Sequence, residues 1–467
     1  MLGFTRHRGE YRTMIKKIIK RMLKPVNFLL RPFKRVIVLT LRPFFNKPLL
    51  YRRKSASASD KPTVIVAGRN YCSNICMARA LGSAGYEVEV LRIYSRMPRP
   101  TRTFSMLRPD AHSKYVRAFH ACFISRSDPH IIVDRLRKIA DPNRKMLLVP
   151  VDDLVLETVD TYADELRPFY YLPNIGDKQG EIVRAMGKEI QYNLAKEAGL
   201  PVINSCLIKI EDDIFQIPDC VSYPCFIKPN VSPDGRKTQM QMCQNKEELQ
   251  LALENLAKKH NAEILVQDYL QIKQEYSILG ICTRDGAFGP GFFGADVGGH
   301  QSRRGVALTG HVVPNPECQE LIDRINRFVG SLNFEGLYDV DLIETTDGKM
   351  YFVEVNLRYG GSGYAIVASG VNLPAMYADY VTAGKPIDDT ARVDPKGLMF
   401  VNEKNLLEEI MYGFVRREEG KELLQNTDIR FIYNAEDEKP YRHYQPFFKL
   451  AVMRGWVRNL VNPRQPE

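Results

Sequence analysis

Residues 334–364 read FEGLYDVDLIETTDGKMYFVEVNLRYGGSGY. Tyr338–Ile343 alternates apolar and polar residues and is rich in β-formers, and Met350–Val355 is a second such run. Between them, Thr345-Thr346-Asp347-Gly348-Lys349 carries turn chemistry, so the stretch is expected to be an antiparallel hairpin. On a strand, alternate residues share a face. Glu354 and Asn356 therefore point the same way, Arg358 follows at the strand end, and Asp341 approaches Glu354 from the facing strand. Hard oxygen ligands of this kind suit Mg²⁺ or Mn²⁺ shared with substrate phosphates. The arginine adds an anion clamp. The plainer reading is a solvated charged strand face. Against it, the acids sit inside otherwise apolar strands, where a charge needs a partner. Gly360-Gly361-Ser362-Gly363 then supplies a turn that lets backbone approach a ligand.

Composition sets the frame. The chain has 467 residues, 44% of them hydrophobic, enough for two to four domains. The formal net charge is +11, but residues 1–54 alone contribute +15, so the remainder is about −4. Basicity therefore says little about the body of the chain and gives no reason to expect a nucleic-acid partner there. The first 54 residues mix Lys and Arg with short apolar runs such as Val36–Leu41, none near the roughly 18 residues a spanning helix needs. They read as an interfacial basic segment on anionic membrane, with a disordered tail or a nucleic-acid arm as alternatives. Ser55–Asp60 (SASASD) reads as a linker. Nine scattered cysteines show no paired framework, so reduced thiols and a cytoplasmic setting are expected, metal chemistry at Cys72 and Cys76 being set aside for want of a second pair.

Beyond the linker, Thr63–Ala67 is expected to be a buried parallel strand, Gly68–Asn74 a loop, Ile75–Ala84 a helix and Tyr86–Ile93 a second strand. No GxGxxG follows the first strand. Met146–Pro150 is another strand, with Asp152 and Asp153 just past its end; helix N-capping is the plain role for either acid. Residues 178–199 read as one helix ending at Gly199, and Pro316–Leu332 as another with Leu321, Ile325 and Val329 inward. In Tyr223–Asn230 (YPCFIKPN), Lys228 lies in a buried strand and needs an anion. Ile264–Leu270 is a strand, and Gly289–His311 a glycine-rich stretch carrying Arg303 and Arg304.

Asp341 with Glu354-Val355-Asn356-Leu357-Arg358 resembles the metal-binding end of the ATP-grasp superfamily, over about residues 62–386. The resemblance implies an α/β chain: an ATP-grasp fold, two α+β subdomains clamping ATP, preceded by a small parallel α/β domain. Boundaries follow as 1–60 for the basic segment and linker, 61–175 for the first domain, 176–390 for the ATP-grasp domain and 391–467 for a C-terminal extension. It implies ATP and Mg²⁺ or Mn²⁺ as cofactors, with Asp341, Glu354 and Asn356 as metal ligands. Lys188, Lys228, Gln267, Asp268, Leu270 and Glu275 would meet the nucleotide, and Arg358, Arg303 and Arg304 the transferring group. Arg69, Asn70, Asp152 and Asp153 would help hold the other substrate. Members join a small-molecule carboxylate to an amine through an acyl phosphate, and the segment looks most like D-aspartate ligases and polysaccharide-modifying relatives. Val231–Met240 (VSPDGRKTQM) departs from the family's small-residue loop over the phosphates. That departure keeps a rival in view, a non-catalytic nucleotide-binding sensor or scaffold. A bicarbonate-using carboxylase would need a partner domain that the reading does not find. GxSxG, HExxH and kinase signatures are absent from the sequence.

Overall fold

The structure is a computed structural model that describes residues 60–94, 108–124, 128–211, 214–230, 240–257, 262–289, 292–296, 301–302, 306–313, 319–393, 397–412 and 414–446. The basic segment 1–54, most of the 231–240 loop, Arg303, Arg304 and the end from Phe447 lie outside them.

Five parallel strands form the first sheet: β1 (Val64–Gly68), β2 (Val88–Tyr94), β3 (Val116–Phe123), β4 (Met146–Pro150) and β5 (Tyr170–Tyr171), in the order β3-β2-β1-β4-β5. Val64 and Val66 pack on helix α1 (Tyr71–Ser83). Ile65 and Ala67 pack on α2 (His130–Ile139) and α3 (Asp153–Thr161). Burial on both faces is why these strands read as unbroken apolar runs. Helix α1 begins at Tyr71, four residues before the expected Ile75, because the Asn70 side chain accepts the Cys72 N–H and caps it. Strand order reverses between β1 and β4, and the crevice outside their carboxyl ends is where open α/β sheets take ligands. The two ends are close: a Cβ on Gly68 would stand 2.3 Å from Val151 Cγ2.

The helix expected over 178–199 is two, α4 (Glu181–Ala185) and α5 (Lys188–Glu197). Gly187 between them is extended, so the second helix starts afresh at Lys188. Asn230 caps that start, its Oδ1 accepting the Glu189 N–H at 3.1 Å. Just before α4, β6 (Asn174–Ile175) joins the large sheet.

A four-stranded antiparallel sheet follows: β7 (Ser205–Ile210), β8 (Cys225–Pro229), β9 (Gln241–Cys243) and β10 (Ala262–Asp268), ordered β7-β10-β8-β9. Ile208, Ile227, Ile264 and Val266 point to helix α6 (Lys246–Ala257). Lys228, Leu265 and Gln267 alternate with them and face the other way. Here the expectation of reduced, unpaired cysteines is corrected: β7 runs past the approach to β8, and Cys206 is bonded to Cys220, with Cα atoms 6.6 Å apart. Cys72, Cys76, Cys122, Cys225, Cys243 and Cys282 are free and buried.

The third sheet is mostly antiparallel. It runs β18-β17-β11-β13-β16-β19-β20, with β12 beside β11. Its strands are β11 (Ile272–Thr283), β12 (Gly286–Phe288), β13 (Phe292–Asp296), β16 (Thr309–Val313), β17 (Phe334–Thr345), β18 (Met350–Asn356), β19 (Met399–Val401) and β20 (Ile429–Arg430). A small pair, β14 (Gln301–Ser302) and β15 (Val306–Ala307), lies apart. Helix α7 (Gln319–Ser331) buries Ile322, Ile325, Phe328 and Val329 against this sheet. The stretch after Tyr364 adds α8 (Tyr364–Ala368) and α9 (Leu373–Ala383). Among the described residues past 391, β19 extends the sheet through β16, and Arg79 of α1 donates to Asp437 at 3.0 Å and to the Phe431 and Ile432 carbonyls. Among the described residues no helix is long and apolar enough to cross a membrane.

Candidate functional site

The hairpin forms as its turn chemistry dictates. Asp341 faces Glu354 and Asp339 faces Asn356, so four oxygen-bearing side chains share one face. Their heads are already organised. Asp341 accepts from Asn356 Nδ2 at 3.2 Å and from Ser277 Oγ of β11 at 2.8 Å. Glu354 pairs with Lys188 Nζ at 2.8 Å. Between Glu354 and Asn356, the Val355 peptide is gripped by the buried Gln191 amide, which accepts its N–H at 3.0 Å and donates to its carbonyl at 2.9 Å. Helix α5 thus fixes the outer edge of β18 at the two residues on either side of that peptide.

Arg358 leaves the end of β18 and meets the first domain. Its Nε and Nη2 take both oxygens of Asp153, at 2.7 and 3.3 Å. Nη2 also donates to Asn356 Oδ1 at 3.3 Å, and Asp339 Oδ2 stands 3.9 Å from Nη1. Burial pulls the guanidinium pKa down, but Asp153, with Asp339 and Asp341 behind it, outweighs burial and raises it, so Arg358 stays charged. Asp152 is the N-cap of α3, accepting the Val155 N–H, and it holds Arg69 at 3.3 Å. Of the two adjacent acids, the first is a cap and the second an inter-domain partner. Asn70 caps α1.

Asp339 was not singled out from the sequence. It is buried, and its Oδ1 accepts no hydrogen bond from the described residues. Burial, then the neighbouring Asp341, pushes its carboxyl well above the ordinary range, with Arg358 opposing. Gly360 leaves room for it: a Cβ there would stand 2.0 Å from Asp339 Oδ2.

From the four-stranded sheet, Lys228 and Gln267 both donate to the Tyr192 hydroxyl, at 2.7 and 2.9 Å. Burial raises the Tyr192 pKa, so the hydroxyl stays protonated. Tyr192 stacks edge-on against Phe352 of β18. Lys188 and Tyr192 lie one turn apart on α5, one reaching each sheet. Tyr192 and Gln191 escaped the sequence reading, although Lys188, Gln191, Tyr192 and Ala195 are the buried face of α5 at i, i+3, i+4 and i+7. Asp268 sits at the end of β10, taking Asn204 and Ser222 side chains, and its N–H donates to the Asn204 carbonyl. Leu270 lies in the connection to β11. Glu275 is half-buried on β11, opposite Ile343 and two residues from Ser277 on the same face. The structure thus gathers Asp341, Glu354, Asn356, Arg358 and Lys188, with Lys228 and Gln267 joined to them through α5. Asp268 and Leu270 stand at the far strand end.

Among the described residues no three His, Cys, Asp or Glu side chains converge to hold a metal by themselves. The hairpin offers carboxylates and an amide, and one buried carboxylate oxygen without a donor, a set that fits a hard divalent cation completed by water and phosphate oxygens.

Residues 193–371 match the family model of the ATP-grasp domain. The match takes in the hairpin, Lys228 and Gln267, and begins five residues after Lys188. The chain is 23% identical over 297 residues to D-aspartate ligase of Enterococcus faecium, covering 56% of this chain and 66% of that protein. It is 24% identical over 194 residues to formate-dependent phosphoribosylglycinamide formyltransferase of Bacteroides thetaiotaomicron, covering 40% and 48%. The matched region thus spans about half to two thirds of these relatives. Among solved structures, biotin carboxylase of Campylobacter jejuni superposes with a TM-score of 0.54 at 14% identity, covering 72% of this chain and 74% of that one. N5-carboxyaminoimidazole ribonucleotide synthetase in its ADP complex gives 0.53 at 17%, covering 76% and 86%. These likenesses establish the fold.

Proposed function

The chain carries an ATP-grasp domain, and on that premise we propose that it is an ATP-dependent ligase that activates a carboxylate as an acyl phosphate and couples it to an amine. The supporting observation is the pairing of Lys188 with Glu354 at 2.8 Å beside Asp341 and Asn356, with Lys228 presented from the second sheet through Tyr192. Phosphate-binding cations and cation-binding oxygens thus stand together.

In this reading a substrate carboxylate oxygen attacks the γ-phosphorus of ATP and ADP leaves. The amine then attacks the acyl carbon, phosphate departs, and the amine loses a proton. Lys188 and Lys228 hold phosphate oxygens. Arg358, aimed by Asp153, stabilises charge on the transferring group. Asp341, Glu354 and Asn356 would hold Mg²⁺ or Mn²⁺, which supplies charge neutralisation at the phosphates when bound. Arg303 and Arg304 are assigned to the acyl phosphate or an anionic acceptor on sequence alone. The crevice beside Arg69 and Asp153 takes the second substrate. The likeness to D-aspartate ligase suggests an amino acid as the carboxylate donor, and the basic segment 1–54 an acceptor at an anionic membrane face, such as a cell-envelope or polysaccharide precursor.

The test is ADP release with Mg²⁺ across a panel of D- and L-amino acids, D-aspartate included, with amine acceptors. Glu354→Gln and Asn356→Ala should each abolish Mg²⁺-dependent turnover while leaving the circular dichroism spectrum unchanged. Undiminished turnover in both variants would overturn the assignment.

A further inference from the structure

We propose that Cys206 and Cys220 form a site of reversible thiol–disulfide exchange, entered by a small thiol at the exposed Cys220 sulfur, whose state sets how firmly the end of β10 is held for a nucleotide. This rests on the reading that Asp268 and Leu270 meet the nucleotide.

Two arms of the chain close on the end of β10, one leading into β7 and the other into β8. Asn204, two residues before Cys206, donates from Nδ2 to Asp268 Oδ1 at 3.2 Å, and its carbonyl accepts the Asp268 N–H at 3.1 Å. Ser222, two residues after Cys220, donates to the same Asp268 oxygen. The Pro224 carbonyl then accepts the Tyr269 N–H at 3.1 Å. Both side-chain contacts to Asp268 are exposed to water, where a hydrogen bond contributes little net. The disulfide ties the same two arms a second time, across a sequence separation of 14, and it is the tie that water does not weaken. Phe215 and Ile217, inside the closed loop, pack on the core of the four-stranded sheet. Opening the bond therefore loosens the arms without releasing the loop.

The second observation is the asymmetry of the bond. Cys206 is 7% exposed, whereas Cys220 is open to solvent. Exchange proceeds by attack of a thiolate on an accessible sulfur, and exposed disulfides are the labile ones. A small thiolate attacks Cys220 Sγ, and a new sulfur–sulfur bond forms there. The electron pair of the broken bond leaves on Cys206 Sγ, which takes a proton. A second thiolate then displaces Cys220 from the mixed disulfide, and Cys220 takes a proton in turn. In total the protein gains two electrons and two protons, and two small thiols become one small disulfide. The nearby thiols do not compete. Cys225 and Cys243 oppose each other across β8 and β9 but are fully buried. Burial pushes the Cys225 thiol up to about 11 and raises that of Cys243, so neither is a ready nucleophile.

The experiment equilibrates the full chain in graded mixtures of reduced and oxidised glutathione, with and without saturating ADP, and counts thiols by maleimide mass shift after an acid quench. The count should rise by two across the series while the circular dichroism spectrum stays unchanged. The oxidised protein should bind ADP at least about fivefold more tightly than the reduced one, and by linkage ADP should shift the equilibrium towards the disulfide by the same factor. Cys220→Ser should bind ADP as the reduced parent does, whatever the glutathione mixture. A bond that opens only on unfolding, thiols that never pair in oxidised glutathione, or equal ADP affinity in both states would each overturn this inference and leave the proposed function standing. Should Cys220→Ser fail to fold, the two states of the parent decide. A parent that binds no ADP in either state would overturn the proposed function and this inference with it.

Discussion

The contact between Asp153 and Arg358 joins two parts of the chain 205 residues apart, and its strength is measurable. Both side chains are largely but not fully covered, with 16% of Arg358 and 25% of Asp153 exposed. A bidentate, charge-assisted pair in such a setting lies between an exposed ion pair, worth under about 1 kcal/mol, and a buried one, whose breaking costs about 3–5 kcal/mol. A coupling of about 2 kcal/mol is expected. Single substitutions would blur it. Asp153 opens helix α3, so Asp153→Ala also removes a favourable charge at the helix N-terminus, worth about 0.5 kcal/mol. Arg358→Met also frees Asn356 Oδ1. A double-mutant cycle cancels both side effects. Urea unfolding of the parent, Asp153→Ala, Arg358→Met and the double variant at pH 7 and low salt supplies the four free energies. A coupling below about 0.5 kcal/mol would refute the view that this pair fixes the first domain to the hairpin. Arg358 would then lack the partner that holds it in place. If the coupling is present, Asp153→Asn should also lower turnover, because the guanidinium loses its aim while remaining in the chain.

Three further outcomes are expected. Lys228→Ala should weaken ATP binding by about 2–4 kcal/mol in calorimetry, since it strips a charge-assisted contact from a buried position; equal affinity would show that Lys228 only packs against Tyr192. A chain beginning at Ser55 should cease to sediment with phosphatidylglycerol vesicles at low salt yet keep its ATP turnover, and full-length protein that ignores such vesicles would refute the membrane placement. Burial pushes Asp379 up, but Lys385, Lys61 and Tyr86 outweigh it and hold its carboxyl at about 2, below the unfolded value of about 3.9, so its stabilisation is present above pH 4 and lost as pH falls towards 2. Discounted for solvent screening, Asp379→Asn should cost about 1 kcal/mol at neutral pH and flatten the acid limb of the stability curve; an unchanged limb would count against the pairing.

What could be read in advance tracks how local each cause is. The hairpin was legible because its strands have period two and its turn is Thr-Thr-Asp-Gly, and those two facts fix which residues face each other. Strand β4 came out at its observed bounds because an apolar run closed by proline has few other uses. Helix α1 was misplaced at its start because Asn70 is an ordinary loop residue until its side chain is seen to cap. The break at Gly187 was missed because Lys178–Gly199 has helix formers on both sides of it, and a single glycine does not declare whether it bends or stops a helix. Gln191 and Tyr192 were hidden for a different reason. They belong to a buried face that is polar, so apolar periodicity does not mark it, and their partners come from β18, β8 and β10, distant in sequence. The Cys206–Cys220 bond closes a loop whose course depends on two strands pairing through a third, a tertiary fact that cysteine spacing does not carry.

The same polar face bears on how a nucleotide would enter. In the structure, the lysine we assign to phosphate is held by a carboxylate we assign to the cation, Lys188 by Glu354. Lys228 rests on a neutral hydroxyl, with its charge over the Tyr192 ring. Lys188 is buried, so stripping it of Glu354 is costly, because the ammonium is left charged and dry. Arrival of a nucleotide together with its cation would avoid that state: Glu354 would pass from lysine to cation as Lys188 passed from carboxylate to phosphate. A cation arriving alone would draw Glu354 away without supplying the phosphate that Lys188 needs. Nucleotide and cation are therefore expected to bind cooperatively, and Gln191, by fixing the Val355 peptide beside Glu354, keeps the exchange within the reach of two side chains.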